Sequence, residues 1–148
     1  MNKKIKIILT VIIIFIGLVL FLATGARFVK VEESKYNISN IDGVSVSISD
    51  ISLTGATIKI KDSSDISYAY GQWYVIEKEI DGKWYQLSTK IDNYGFNDIG
   101  YNTDENDEVI FVIEWEWLYG PLNLGNYRII KEAHNKYIAI PFSIVKAS

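Results

Sequence analysis

The sequence predicts an all-β protein, a sandwich of about seven to nine short antiparallel strands preceded by one N-terminal hydrophobic helix. Two observations lead to this fold class. Segments in which apolar and polar side chains alternate recur along the chain, and turns rich in Gly, Asn and Asp separate them. No helical period follows residue 26, so we expect a body built from strands.

Residues 1–26 are predicted to be a signal peptide or a signal-anchor helix. Residues 7–23 are almost entirely apolar, and a basic head precedes them, formed by Lys3, Lys4 and Lys6. Such a head stays on the inner side of the membrane, which sends the rest of the chain outside. The run suits a short membrane span, and small residues behind it permit cleavage after Gly25 or Ala26. We therefore expect a single-pass membrane protein with its C-terminal domain outside, or a secreted protein if cleavage occurs.

The charge balance and the absence of cysteine exclude several classes of function. The 18 acidic residues outnumber the 15 basic ones, and three of the basic residues precede the apolar run. The body is therefore acidic, and we expect no nucleic-acid partner, because such binding needs basic patches. The lack of cysteine excludes disulfides and thiolate metal sites. No cofactor is expected.

Residues 27–40 are predicted to be a linker, and residues 41–148 to form the sandwich. The linker contains a possible first strand at Phe28, Val29 and Val31. Segments 44–49 and 53–61 each alternate apolar residues with Ser, Thr or Lys, which predicts two adjoining antiparallel strands. Thr54-Gly55 suggests a kink or bulge at the start of the second strand.

The middle of the chain contains a hairpin followed by a long loop. Segment 72–80 is predicted to be a strand, and Asp81-Gly82 is the strongest short hairpin signal in the sequence. Residues 83–87 form the returning strand. The polar segment 88–108 is then long for a loop in a compact domain, so it is expected to have a function or to contain a short extra strand.

Residues 111–131 are predicted to form a strand, a tight corner and a second strand. Trp115 and Trp117 share the parity of Phe111 and are expected in the core. Glu114 and Glu116 have the opposite parity, which predicts a solvated sheet face with cross-strand partners such as Lys78, Arg128 or Lys131. A pattern Leu-x-x-Gly-x-Tyr then opens the second strand, at Leu122, Gly125 and Tyr127. Pro141 makes the last strand, 137–145, an edge strand or marks a bulge.

The corner pattern resembles the tyrosine corner of immunoglobulin-like sandwiches. Residues 70–78, 81–85, 115–120 and 125–131 resemble a bacterial immunoglobulin-like domain family of Firmicute exported proteins, which also occurs as an extracellular domain of BlaR1-type membrane peptidases. The resemblance covers roughly residues 40–145. Leu124-Gly125 stands where the family usually has Pro-Gly. The resemblance implies an immunoglobulin-like fold outside the cell and no catalytic residues.

Few residues are candidates for a catalytic, metal or binding site. His134 is the single histidine and has no partner for a triad or a metal set, so it is expected on the exposed surface. The acidic run 104–108 is expected to be a solvated loop, with a calcium site as the alternative, although its spacing fits no EF-hand. A possible binding surface is formed by aromatic residues, namely Trp73, Trp84, Tyr94 and Tyr101.

Three functions follow as hypotheses, none of them enzymatic. The first is an interaction or structural module at the cell envelope, attached to the membrane through the N-terminal helix. The second is a module that binds cell-wall glycan on exposed Trp and Tyr rings. The third, from the resemblance alone, is an accessory sensor domain for a membrane peptidase.

Overall fold

The structure, a computed structural model, describes residues 32–104 and 106–146. This part of the chain contains eight strands and one four-residue helix. In order they are β1 Glu32–Glu33, β2 Val44–Ser49, β3 Gly55–Asp62, β4 Val75–Ile80, β5 Lys83–Gln86, β6 Glu108–Glu114, α1 Glu116–Tyr119, β7 Gly125–Ala133 and β8 Lys136–Ile144. The predicted N-terminal helix and the possible strand at Phe28, Val29 and Val31 lie outside the described residues. Within them, no helix has the length and apolar character needed to cross a membrane.

The strands form two antiparallel sheets with one shared core. The larger sheet has the order β1-β5-β4-β7-β8, and the smaller has the order β2-β3-β6. Buried side chains of both sheets, among them Ile58, Phe111, Ile129 and Ile140, belong to one apolar cluster. The predicted antiparallel β-sandwich is therefore confirmed.

Alternation determines which residues of the smaller sheet reach the core. Strand β2 pairs with β3 and β3 pairs with β6, so that Ile58 lies opposite both Ile48 and Phe111. The predicted pairing of segments 44–49 and 53–61 is thus confirmed. Gly55 marks the beginning of β3, because a Cβ atom there would lie 2.5 Å from the carbonyl oxygen of Ile113. A glycine is needed at this position because the backbones of β3 and β6 approach each other closely.

Two turn residues and a proline determine a hairpin and an edge strand of the larger sheet. Asp81 and Gly82 both have positive φ, 51° and 76°, as a two-residue type I′ hairpin requires, and they join β4 to β5. The hairpin prediction is confirmed. Pro141 lies in β8, the outermost strand beside β7, which confirms the predicted edge position.

The alternation in residues 111–117 stops earlier than the sequence suggests. Strand β6 ends at Glu114, and the backbone N–H groups of Trp115 and Glu116 both bond to the carbonyl of Thr54 before α1 begins. Trp115 is fully buried, as predicted. Trp117 lies on α1 and is 46% exposed, so its predicted place in the core was wrong. Parity predicts burial only while the strand lasts.

The predicted partners of Glu114 and Glu116 were also wrong. Both carboxylates are exposed, but β6 pairs with β3 in the smaller sheet. The proposed partners Lys78, Arg128 and Lys131 lie in the larger sheet, which rules out a cross-strand contact.

Residues 34–40, which we name the strap, cross the outer face of the larger sheet. The N–H of Ser34 donates to the carbonyl of Trp84 on β5, and the N–H of Ser39 donates to the carbonyl of Tyr137 on β8. Ser34 of the strap accepts a hydrogen bond from Arg128, which forms an ion pair at 2.7 Å with the buried Glu77. These residues lie in the segment 27–40 that was predicted to be a linker, and the two backbone bonds attach them to the sheet.

Candidate functional site

A cleft of about 810 Å³ lies between the segment that leads into β4 and the long loop before β6. We name it the aromatic cleft. Its walls combine rings with polar side chains, namely Trp73, Tyr94, Phe96, Gln72, Asp98 and Glu132. The cleft falls within the size range of small-molecule sites, roughly 300–1,000 Å³.

A buried lysine holds the backbone on the β4 side of the cleft. The ammonium group of Lys131 donates to the carbonyls of Gly71, at 2.8 Å, and Trp73, at 3.1 Å. It also lies 4.1 Å from the ring centre of Phe111, a cation–π contact. Lys131 is 1% exposed, and burial lowers its pKa to about 8. The segment that presents Trp73 is therefore attached to the core.

Two tyrosine rings pack against the ring of Trp73. Its centre lies 5.9 Å from that of Tyr36 in the strap and 5.9 Å from that of Tyr137 on β8. Tyr36 and Tyr137 also contact each other, at 5.0 Å. Since the three rings restrain one another, Trp73 presents a preformed surface to the cleft.

The opposite wall of the cleft is the loop that contains Tyr94 and Phe96, and Tyr101 holds this loop in place. The rings of Tyr94 and Phe96 meet edge to face at 6.0 Å. Tyr101 exchanges two backbone hydrogen bonds with Tyr70, both 2.9 Å, and its hydroxyl accepts a hydrogen bond from the Gln72 amide at 2.7 Å. Tyr101 therefore supports the cleft from outside and does not line it.

The predicted four-residue aromatic surface is thus divided. The structure brings Trp73 and Tyr94 together in the cleft. Trp84 lies elsewhere on the larger sheet, where the guanidinium group of Arg128 stacks on its ring at 4.4 Å. The four residues do not form one flat platform.

The cleft offers both rings and carboxylates to a ligand. Its described lining contains no serine, cysteine, histidine or lysine, and its ionisable side chains are two carboxylates, Asp98 and Glu132, and two tyrosines. Ring faces can stack on the apolar faces of a ligand, while the exposed carboxylates of Asp98 and Glu132 can accept hydrogen bonds from hydroxyl or amino groups. This combination suits a ligand that is apolar on one face and rich in donors at its rim.

The corner residues do not line the cleft. The Tyr127 hydroxyl donates to the carbonyl of Asn123 at 2.9 Å, four residues upstream, which is the geometry of a tyrosine corner. Leu122 is buried beneath it. Gly125 has φ of 153° at the start of β7, a conformation that favours glycine.

His134 is the clearest site residue that the sequence misplaced. It was predicted on the exposed surface, yet its side chain is only 7% exposed and its Nε2 lies 2.6 Å from the Asp62 carboxylate. Asp62 also accepts hydrogen bonds from the hydroxyls of Tyr70, at 2.7 Å, and Ser64, at 2.6 Å. Asp62 shares the parity of the buried Ile58 and Ile60, a signal that could have revealed the cluster.

In the acidic run before β6, the carboxylate of Asp104 stabilises a turn. Asp104 accepts hydrogen bonds from the backbone N–H groups of Asn106, at 2.8 Å, and Glu108, at 3.0 Å, and these bonds lower its pKa. Across residues 32–104 and 106–146, the structure contains no group of three His, Cys, Asp or Glu side chains placed to hold a metal ion.

Two antiparallel sheets joined by a tyrosine-corner geometry define an immunoglobulin-like sandwich. The family model described as bacterial Ig-like domain matches residues 40–143, so the chain belongs to this family. Comparisons with curated proteins and with solved structures found no match. Domains of this family are generally non-catalytic, and the family indicates an interaction module.

Proposed function

We propose that the protein is an exported, non-enzymatic interaction module that binds carbohydrate of the bacterial cell envelope in the aromatic cleft. One observation supports this proposal above the others: Trp73 and Tyr94, which are far apart in sequence, line one cleft together with Asp98 and Glu132. A pyranose ring has apolar C–H faces and a rim of hydroxyl groups, and this lining offers a partner for each.

The charge of the cleft narrows the class of sugar. Asp98 and Glu132 are acidic, and no basic side chain is among the described residues that line the cleft. A polyanionic wall polymer would be repelled by these carboxylates, whereas a neutral or amino sugar would not. We therefore propose neutral or amino-bearing glycans, such as soluble peptidoglycan fragments, as the ligand class.

The proposed location follows from the N-terminal sequence. The basic residues before the apolar run 7–23 support a location of the Ig-like domain outside the cell, either on a membrane anchor or released by cleavage. N-terminal sequencing of the protein recovered from cells distinguishes the two forms. A chain that begins at Met1 indicates an anchor, and a chain that begins after Gly25 or Ala26 indicates secretion.

Calorimetric titration of the full chain, in a mild detergent, with soluble peptidoglycan fragments tests the ligand. We expect Trp73→Ala to weaken binding by about tenfold or more, which corresponds to about 1.4 kcal/mol. Trp84→Ala is the matched control, because Trp84 does not line the cleft and its ring stacks on Arg128. It should change the affinity less than about twofold.

Two results would overturn the carbohydrate proposal. One is equal affinity of the wild-type and Trp73→Ala proteins for the fragments. The other is no binding of any neutral or amino-bearing fragment, which would favour a structural role or the accessory-sensor role beside a BlaR1-type peptidase. The sensor role rests on the family resemblance and stays a prediction.

A further inference from the structure

Strand β6 has an open edge. It pairs with β3 on one side and is the outermost strand of the smaller sheet. At the two ends of this ladder, the N–H of Asp62 bonds to the carbonyl of Asp107, and the N–H of Trp115 bonds to the carbonyl of Thr54. In an antiparallel ladder the direction of the backbone groups alternates from one residue to the next. The odd-numbered residues of β6 therefore face β3, and the even-numbered residues face away from it.

Three residues of this edge are open to another strand. The outward N–H and carbonyl of Glu108 are both occupied, since they bond to the side chain and the backbone N–H of Asp104. The outward backbone groups of Ile110, Val112 and Glu114 have no such cover from the described part of the chain. The loop that closes the edge at Glu108 thus leaves it open from Ile110 onward.

The side chains on both faces of this edge are apolar. Ile110 is 58% exposed and Val112 is 75% exposed, and both lie on the outer face of the smaller sheet. On the inner side, a groove of about 250 Å³ runs along β6, lined by Tyr74, Phe96 and Trp117. A strand added at β6 would place alternate side chains beside Val112 and into this groove.

The edges of the larger sheet are protected and the β6 edge is not. Strand β8 contains Pro141, and β1 is only two residues long. Proteins commonly protect exposed edges with proline, lysine or very short strands. Residues 108–114 contain neither proline nor lysine. An open edge with two exposed apolar side chains, Ile110 and Val112, and no such protection indicates a place where another strand binds.

The charge at one end of the edge identifies the kind of partner. Glu114 and Glu116 are both exposed, and neither carboxylate forms an ion pair within the described residues. A basic side chain on the incoming strand would complement them. Two copies of β6 paired antiparallel through Ile110 and Val112 would instead set Glu108 of one copy opposite Glu114 of the other. The like charges disfavour a second copy as the occupant.

We propose that β6 binds an extended segment of another protein by strand addition. In that segment, apolar residues alternate, and a lysine or arginine lies beside Glu114 and Glu116. Backbone hydrogen bonds to Ile110, Val112 and Glu114 provide the affinity, while the groove and the carboxylates select the sequence. This surface adjoins the aromatic cleft, with which it shares Phe96. Trp73 lines the cleft and not the groove, and Val112 and Glu114 line the groove and not the cleft, so variants at these positions let either proposal fail without the other.

A short synthetic peptide with alternating valines and one terminal lysine tests the proposal. Its binding to the full chain is measured by Trp fluorescence, beside two altered peptides. One is N-methylated at the residues that face β6, and the other has glutamate in place of the lysine. We expect N-methylation to weaken binding by about tenfold or more, and the charge change to weaken it by about threefold to tenfold.

Four variants of the chain complete the test. Val112→Pro should abolish binding and keep the fold, because the N–H of Val112 faces away from β3. Val112→Lys tests the same edge if the proline variant does not fold. Glu114→Lys should reverse the preference toward the glutamate peptide, whereas Trp73→Ala should change nothing. Equal binding of the N-methylated peptide, an unchanged charge preference in Glu114→Lys, or a concentration-dependent dimer abolished by Val112→Lys would overturn the proposal.

Discussion

The two ends of the sandwich are held together by different kinds of interaction. At the end where β3 begins, the Trp115 indole N–H donates to the carbonyl of Leu53 at 2.9 Å, and the Tyr127 hydroxyl donates to the carbonyl of Asn123. These are neutral side chains bonded to backbone. At the end where β3 finishes, Asp62 accepts hydrogen bonds from Tyr70 and from Ser64 and contacts His134.

Because of this difference, only the interactions at the end that contains Asp62 should make the stability of the fold depend on pH. Burial opposes the ionisation of Asp62, but the hydrogen bonds from Ser64, His134 and Tyr70 outweigh it and lower its pKa to about 2. Lys131 lies near the same end and is also perturbed. The two hydrogen bonds at the other end, the neutral corner, join an indole N–H and a phenol hydroxyl to backbone carbonyls and involve no carboxylate. Stability should therefore follow the charged end in both acid and alkali.

The largest effect is expected from Asp62→Asn. The change replaces one of two buried acceptor oxygens with an NH2 donor and removes the charge, so it should cost about 3 kcal/mol of unfolding free energy at neutral pH. Because the pKa of Asp62 falls from 3.8 to about 2 on folding, about 2 kcal/mol of this is lost as the pH drops through that window. Urea denaturation at several pH values should show the gap to wild type narrowing below pH 3.8.

Asp65→Asn serves as the control for Asp62, because Asp65 is exposed and follows the same turn. It should change stability by less than about 0.5 kcal/mol. If Asp62→Asn proves as mild as the control, the charged end is not held by this carboxylate.

A smaller effect is expected from Lys131 in alkali. Burial lowers its pKa from 10.5 to about 8, so the folded protein releases this proton before the unfolded chain does. Stability should therefore rise as the pH increases from about 8 toward 9.5, by roughly 1–2 kcal/mol. The same denaturation series on Lys131→Met should lack this rise. A rise of equal size in the variant would assign it to other groups.

The smallest effect belongs to the neutral corner. Tyr127→Phe removes the hydroxyl that bonds to Asn123 and should cost about 1 kcal/mol, with the same value across the acid range. Tyr85→Phe on β5, a half-buried tyrosine, is the matched control. Unaltered stability of Tyr127→Phe would remove the corner assignment, and a cost that varies with pH would contradict the comparison of the two ends.

Local patterns predicted the strands because their causes are local. Alternation over 44–49 and 53–61 and the turn residues Asp81 and Gly82 act within a few residues, and the structure has those strands and that hairpin. Trp117 shows the limit of the method. Its parity matched Trp115, but a backbone contact with Thr54 ended the pattern and α1 exposed its ring.

The binding surfaces were only partly predictable. Trp73 and Tyr94 were recognised as candidates, while the separation of Trp84 and the supporting role of Tyr101 depend on how the long loop packs. The open edge of β6 could not be read from its sequence. The same alternation suits a strand paired on both sides, and only the sheet order shows that one side is free.

The sequence by itself determined the all-β class, most strand positions, the hairpin and the edge position of Pro141, because each follows from side-chain period or backbone chemistry over short distances. Tertiary structure alone decided the partners of Asp62, His134 and Lys131, the packing of the strap and the open edge of β6. These depend on residues distant in the chain that come together only when the two sheets stack, and no local pattern encodes such a contact.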